Sequence, residues 1–246
     1  MKRLIALAAT AVLTACGGGG GSDAVVTPVP AAASAEGFWN GTITGGYGAS
    51  VAILENGETW GIYTSGNSLV GAVYGQTSSN NPALTGSGSS FNFLTRQSGS
   101  GTYTGSFVPK SSINFTTNDG AKFTGSYGTT YEQPALLSDL AGTYTGFGVT
   151  GTTSAQSTPI TISTGGAISG SVVSGNLSCS ASGTATPRAS GKNIFDVQLT
   201  FSGNFCALGN GATTAGVAYY DAVNREIGVM TLNSAKTDGL VYIGKR

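Results

Sequence analysis

The chain has 246 residues, of which 39% are apolar and only 9% are charged, with 11 basic side chains, 11 acidic side chains and no histidine. The lack of histidine excludes Ser-His-Asp and Cys-His mechanisms, zincin motifs and imidazole metal sites. Without Lys2 and Arg3, which belong to an expected leader, 9 basic residues remain against 11 acidic ones, and this slightly acidic balance argues against a nucleic-acid partner. We therefore expect a protein that is not an enzyme and that uses no metal or cofactor.

The first 15 residues have the features of a secretory signal peptide. Lys2 and Arg3 precede an apolar run that ends at Leu13 and is too short to span a bilayer as a helix. The next residues, Thr14, Ala15 and Cys16, complete a sequence that resembles the lipobox of bacterial lipoproteins. The resemblance implies cleavage after residue 15 and a diacylglyceryl group on the Cys16 thiol. Residue 17 is glycine and not the aspartate that retains enterobacterial lipoproteins in the inner membrane, so the implied location is the outer membrane.

We expect residues 16–35 to consist of a lipid-bearing cysteine followed by a tether. Glycine, alanine, serine and proline dominate this segment, and it offers almost no side chains that a core could bury. We expect it to be disordered and to hold the folded body away from the lipid.

Strand signals begin at residue 36 and continue to the end of the chain. Short runs of alternating apolar and polar residues recur between turn residues, and the runs ASVAILE and ETWGIYT meet at Asn56-Gly57, a strong hairpin signal. In GTYTGSFV, Tyr103, Gly105 and Phe107 lie on one face and threonine and serine on the other. This pattern predicts antiparallel sheets with one face toward a core.

The second half of the chain repeats the first. Gly57, Gly61 and Gly66 recur at a spacing of 109 residues as Gly166, Gly170 and Gly175. We therefore expect two tandem domains, residues 36–133 and 134–246, each a small antiparallel β-barrel of about eight strands, because eight strands close around an interior that side chains can fill. A β-sandwich is the alternative. The join holds Leu136, Leu137 and Leu140, which predicts a packed interface between the domains.

Two cysteines remain once Cys16 carries lipid. Cys179 and Cys206 would lie in an oxidising compartment, so we predict that they form a disulfide at the open end of a hairpin that turns near residues 189–191. In that hairpin, Phe195 to Phe201 alternate inward and outward. Two buried free thiols are the alternative.

Several residues are candidates for a site. Glu55 and Glu58 flank the Asn56-Gly57 turn and are interpreted as a solvated hairpin tip, and GFGVTG, at residues 146–151, is interpreted as a chance match to a nucleotide-binding motif because no helix is expected after it. The remaining candidates are aromatic residues that could line a pocket or simply fill a core: Trp39, Trp60, Tyr63, Tyr74, Tyr219 and Tyr220. Tyr219 and Tyr220 are adjacent, so one of them faces outward.

The combination of a lipobox, a polyglycine tether and strands with Phe/Tyr-Gly alternation, as in GTYTGSF and AKFTGSY, resembles the surface lipoproteins typified by transferrin-binding protein B and factor H-binding protein. The resemblance implies barrel lobes that bind host proteins through loops and outer faces. This chain differs in being short, nearly uncharged and free of histidine.

We therefore expect a non-enzymatic outer-membrane lipoprotein, at the periplasmic face or at the cell surface, that binds a protein or another macromolecule. The alternatives are a lipocalin-like carrier of a small apolar ligand and a structural envelope lipoprotein. A hollow lumen would favour the carrier, and filled lumens beside an exposed apolar patch would favour a macromolecular partner.

Overall fold

The computed structural model describes residues 33–66, 68–153 and 155–246, and nearly all of them belong to strands and tight turns. The expectations for the signal peptide, for Cys16 and for most of the tether lie outside these residues. No helix in the described part of the chain is long and apolar enough to cross a bilayer.

The strands form two closed antiparallel barrels in tandem, and in each the first and last strands pair to complete the ring. The two-barrel prediction is confirmed, and the sandwich alternative is wrong. The first barrel consists of β1 (Gly37–Ile43), β2 (Tyr47–Ile53), β3 (Glu58–Ser65), β4 (Ser68–Asn80), β5 (Ala83–Asn92), β6 (Gln97–Val108), β7 (Ser112–Thr117) and β8 (Lys122–Gly128). The second consists of β9 (Gly142–Thr150), β10 (Gln156–Ile162), β11 (Ala167–Ser174), β12 (Leu177–Pro187), β13 (Phe195–Ser202), β14 (Thr213–Asp221), β15 (Glu226–Leu232) and β16 (Gly239–Lys245).

A short connector joins the barrels and contains a 3-10 turn at Thr129–Glu132 and the single-turn helix α1 (Leu137–Leu140). Leu140 is fully buried and Leu137 packs beside it, but both contribute to the core of the second barrel, and Leu136 remains 46% exposed. The predicted packed contact between the barrels is present, but other residues form it and the three leucines do not. The connector instead covers one end of the second barrel.

In each barrel, an aromatic side chain closes one end of the lumen. This side chain donates a hydrogen bond to a backbone carbonyl oxygen just before the barrel's first strand. In the first barrel, the fully buried Trp39 donates its indole Nε1–H to the carbonyl oxygen of Ala35 at 2.9 Å. In the second, the Tyr144 hydroxyl donates to the carbonyl oxygen of Leu140 at 2.6 Å. The donor follows the acceptor by four residues in both cases. We call these ends the closed ends of the barrels.

Gly57 and Gly166, the first pair of glycines that recur at a spacing of 109 residues, occupy equivalent turns. Gly57, between β2 and β3, has a φ of 81°, and Gly166, between β10 and β11, has a φ of 83°. Their carbonyl oxygens accept the amides of Thr77 and Ala185, both at 2.8 Å. A Cβ at either glycine would collide with the carbonyl oxygen of that same partner, so the fold needs glycine at both positions.

Outward-facing apolar residues of the two barrels pack against each other and join them into one compact unit. We call this contact the barrel interface. Its buried members are Phe38, Leu54, Trp60, Ala72 and Tyr131 from the first barrel and the connector, and Val149, Ile194, Val217, Met230 and Val241 from the second barrel.

Ion pairs tie the closed ends of the barrels together. Arg188, in the loop after β12, donates from Nε to a Glu55 carboxylate oxygen at 2.9 Å, and its NH2 lies 3.9 Å from a Glu58 oxygen. It also bonds Asp196 of its own barrel at 2.5 Å. Glu55 and Asn56 are exposed, as expected for a solvated hairpin tip, but the tip also contacts the second barrel through Arg188, whose side chain is only 15% exposed.

Candidate ligand-binding cavities

The second barrel contains an apolar cavity of about 360 Å³ in the half of its lumen away from the closed end. We call it the second lumen. Small inward residues such as Gly170 and Ala181 leave the space open, whereas Phe195 and Val197 fill the barrel nearer the closed end. The principal apolar wall residues are Ile160, Val172, Phe201, Leu208, Leu240 and the ring of Tyr242.

A disulfide forms part of that wall. Cys179, on β12, is bonded to Cys206, in the loop between β13 and β14, with an S–S distance of 2.02 Å. The predicted bridge is confirmed, as is the predicted hairpin, in which Pro187 pairs with Phe195. The amide of Phe205 also donates to the carbonyl oxygen of Ser178 at 3.2 Å. These bonds fix the β13–β14 loop over the open end of the barrel.

The mouth of the second lumen has an apolar side and a polar side. Val173, Leu177 and Phe205 are 68%, 42% and 43% exposed, and they lie at the tip of the β11–β12 hairpin and in the loop fixed by the disulfide. We call these three residues the apolar rim. On the polar side, Thr150 and Thr153 bond through their hydroxyls at 2.9 Å, and the Gly151 amide donates to Asp238 at 2.8 Å.

The first barrel has a smaller and more polar lumen of about 220 Å³, the first lumen. A chain of hydroxyls lies in its wall, because Thr77 bonds both Thr59 and Tyr103 at 2.6 Å. Tyr63 also faces this lumen, and its hydroxyl donates to the carbonyl oxygen of Phe91 at 3.4 Å. Burial raises the pKa of Tyr63, and the neighbouring Tyr47 adds to the rise.

A third cavity, of about 320 Å³, lies between the outer faces of the barrels, and we call it the interbarrel cleft. Its walls come from β1 to β3 of the first barrel and β14 to β16 of the second. Two carboxylates border it: Glu226, which pairs with Lys245 at 3.4 Å, and Asp221. Burial, followed by the charges of these two carboxylates, raises the pKa of the Tyr219 hydroxyl in the cleft wall.

The six aromatic candidates do not form a single site. Trp39 and Tyr220 are core residues of the first and second barrels, and Tyr63 faces the first lumen. The other three, Trp60, Tyr74 and Tyr219, belong to the barrel interface. Tyr219 is thus the outward member of the adjacent pair, and the surface it contacts is Phe38 of the other barrel, with ring centroids 5.3 Å apart.

Sequence reasoning missed the second lumen because it looked for large side chains. The available signal was the opposite one, namely small residues at inward positions of several strands. Gly148 on β9, Gly170 on β11 and Ala181 on β12 all line the cavity. The glycine motif at residues 146–151 belongs to this set of strands and is followed by β10 and not by a helix, as expected for a chance match.

No group of three or more Cys, Asp or Glu residues in the described part of the chain is arranged to hold a metal ion. No protein-family model matches the chain, and no curated protein matches it in sequence. Among solved structures, a protein of unknown function from the DUF3598 family of Nostoc punctiforme is similar, with 12% identity over 86% of this chain and 96% of that chain. The TM-score is 0.27, so this similarity contributes nothing to the functional argument.

Proposed function

We propose that the protein is a non-enzymatic lipoprotein of the bacterial outer membrane, anchored through Cys16, whose second barrel carries a small apolar ligand. The observation that carries this proposal is the second lumen, an open apolar cavity of about 360 Å³. Typical small-molecule sites are concave, mostly apolar and about 300 to 1,000 Å³ in volume. The second lumen has the size and the lining of such a site.

The chemistry of the wall favours binding over catalysis. No Asp, Glu, Lys or Arg residue is among the described residues that line the second lumen. The Tyr242 hydroxyl donates to the carbonyl oxygens of Tyr144 and Thr158, at 3.2 and 3.0 Å, and burial raises its pKa to about 12. It therefore stays protonated and hydrogen-bonded at neutral pH. An apolar molecule entering this space gains about 25 cal/mol for each Å² of apolar surface removed from water.

A macromolecular partner is the second candidate, and the apolar rim is the observation that favours it. Val173, Leu177 and Phe205 together present exposed apolar surface at the open end of the second barrel. A protein or another macromolecule docked there would cover the mouth of the second lumen. The two candidates differ in whether the interior of the barrel contributes to binding.

A lumen-filling variant tests the proposal. The mature chain, with Cys16→Ala to remove the lipid, is titrated with the fluorescent apolar probe N-phenyl-1-naphthylamine. Ala181→Phe places a ring in the second lumen, and Ala215→Phe makes the same change at an exposed position of the same barrel. We expect Ala181→Phe to weaken binding at least about tenfold because the space is occupied, and Ala215→Phe to leave it unchanged.

Circular dichroism of both variants checks that the barrels remain folded. Equal probe affinity in Ala181→Phe and the parent chain would remove the second lumen as the binding site. The apolar rim, and with it the macromolecular partner, would then be the better supported alternative.

A further inference from the structure

The two tryptophans of the chain differ in one respect that packing does not explain. Trp39 donates its indole N–H to the Ala35 carbonyl oxygen at 2.9 Å. Trp60 is only 2% exposed, yet its Nε1 is buried without a hydrogen-bond partner among the described residues. Leaving a buried donor unpaired costs about 1 to 3 kcal/mol. Phenylalanine would fill an apolar interface without that cost, so the unpaired donor indicates an acceptor that the described residues do not supply.

Trp60 lies in the wall of the interbarrel cleft, which a ligand could fill. Apolar residues of both barrels make up most of the wall, including Phe38, Ile62, Val217, Met230 and Val241. The Tyr219 side chain also lies in the cleft wall and places a hydroxyl there that a ligand could bond. An apolar body and a small number of hydrogen-bonding groups are the usual features of a small-molecule site at an interface between domains.

The charges around the cleft restrict the chemistry of its occupant. Glu226 and Asp221 border it, and no Lys or Arg residue is among its described lining residues. Both Asp221 oxygens are already bonded: Oδ1 accepts the amides of Val223 and Asn224, and Oδ2 accepts from the Asn224 side chain. Lys245 pairs with Glu226 at 3.4 Å, and the Lys236 ammonium lies 5.9 Å from the centre of the Trp60 ring. The charges around the cleft therefore nearly cancel, and its apolar wall favours an uncharged ligand.

We propose that the interbarrel cleft is a second ligand site, separate from the second lumen, for a small uncharged molecule that has an apolar body and a carbonyl oxygen. The oxygen accepts the Trp60 indole N–H, which is buried in the unliganded protein and is reached by a displacement of the neighbouring side chains, and the apolar body contacts Ile62, Val217 and Met230. Both barrels contribute walls, so occupancy of this site also strengthens the contact between them. The proposal rests on the cleft alone and does not depend on binding in the second lumen.

Nuclear magnetic resonance of the mature chain tests whether a ligand bonds the Trp60 indole, because the two tryptophans give two separate indole N–H signals. Trp39→Phe identifies the Trp60 signal by elimination. The probes are cyclohexanone and methylenecyclohexane, which have the same shape but differ in the carbonyl oxygen. We expect cyclohexanone to shift the Trp60 signal, to leave the Trp39 signal in place, and to bind about tenfold more tightly than methylenecyclohexane, as one recovered hydrogen bond would give.

Trp60→Phe is the matched variant, because it keeps an aromatic ring in the interface and removes only the donor. We expect it to abolish the preference for cyclohexanone while methylenecyclohexane still binds, which is measured through the methyl signals of Met230 and Val217. A Trp60 signal that responds to neither probe at saturating concentration would overturn the proposal and indicate that water satisfies the indole. A preference for the ketone that survives in Trp60→Phe would also overturn it.

The Ala181→Phe variant separates binding in the interbarrel cleft from binding in the second lumen. Ala181→Phe blocks the second lumen and leaves the cleft residues unchanged, so it should leave the response of the Trp60 signal intact. If Ala181→Phe removes that response, the probe acts from the second lumen and the cleft is not a separate site.

Discussion

The two barrels have closed ends of the same construction, but their lumens differ in chemistry. Trp39 and Tyr144 occupy equivalent positions, and each bonds the backbone four residues earlier. In the first barrel, a chain of hydroxyls runs from Thr59 and Thr77, beside the Gly57 turn, to Tyr103 and borders a cavity of about 220 Å³. The second barrel places a disulfide and apolar side chains around a cavity of about 360 Å³.

This difference separates the part of each barrel that maintains the fold from the part available for binding. The closed ends are densely packed, and the glycines in their turns meet the neighbouring backbone too closely for any other residue. Some glycines of the open halves carry the same constraint, since a Cβ at Gly203 would lie 2.2 Å from the Ser178 carbonyl oxygen and one at Gly239 1.9 Å from that of Thr231, but the side chains that line each lumen border space. A change of lumen chemistry is therefore compatible with an unchanged barrel, and the two barrels differ in this way.

The largest effect should come from removing the aromatic side chains at the closed ends. Trp39→Ala and Tyr144→Ala each leave a cavity and an unpaired backbone carbonyl, and we expect each to lower the free energy of unfolding by about 3 to 5 kcal/mol. Guanidinium unfolding followed by far-UV circular dichroism measures the change. Val223→Ala, at a position 82% exposed, is the control and should cost less than about 0.5 kcal/mol. A large loss in only one of the two barrels would show that the closed ends are not energetically equivalent.

Removal of the disulfide should affect mainly the second barrel. Cys179 and Cys206 are separated by 27 residues, and a bridge across a loop of this length contributes about 3 to 4 kcal/mol by restricting the unfolded chain. In Cys179→Ala with Cys206→Ala we expect faster amide hydrogen exchange in β12 to β14, with smaller changes in β4 to β7. Dithiothreitol should have the same effect on the parent chain and none on the double variant. Equal acceleration in both barrels would mean that they unfold as one cooperative unit.

Local sequence patterns were sufficient to predict the barrels. Alternation from Phe195 to Phe201 placed the inward residues of β13 correctly, because the side chains of a strand alternate between faces. The Asn56-Gly57 signal located the β2–β3 turn, where Gly57 has the positive φ that such a turn requires. The pairing of Cys179 with Cys206 followed from the compartment and from the hairpin between them.

The barrel interface could not be predicted in this way. Alternation shows only that one of Tyr219 and Tyr220 faces outward. The pattern is the same whether an outward residue contacts solvent or another barrel. The tie between Glu55 and Arg188 joins residues 133 positions apart, and no local pattern connects them. The second lumen was missed for a different reason: a cavity is produced by small residues on several strands together, such as Gly170 and Ala181, and no single strand shows it.

The smallest predicted effect concerns a carboxylate that joins the connector to the second barrel. Glu132 accepts bonds from Lys110 at 2.9 Å, from Lys192 at 2.7 Å and from the Tyr127 hydroxyl at 2.5 Å. Together these bonds lower its pKa from 4.5 to about 2, and Lys110 has the largest effect. Because the pKa is lower in the folded state, the contribution to stability is complete above pH 4.5 and is lost as the pH falls toward 2.

Melting temperatures of the parent chain and of Glu132→Gln between pH 2 and pH 7 measure this contribution. The Glu132 side chain is 34% exposed, and water screens its ion pairs, so we expect a difference of less than about 1 kcal/mol at pH 7 that disappears near pH 2. Asp139→Asn, at another exposed carboxylate of the connector, is the control. A difference that persists unchanged at pH 2 would show that Glu132 acts through packing and not through its charge. In that case Lys192 would not tie the second barrel to the connector through an ion pair.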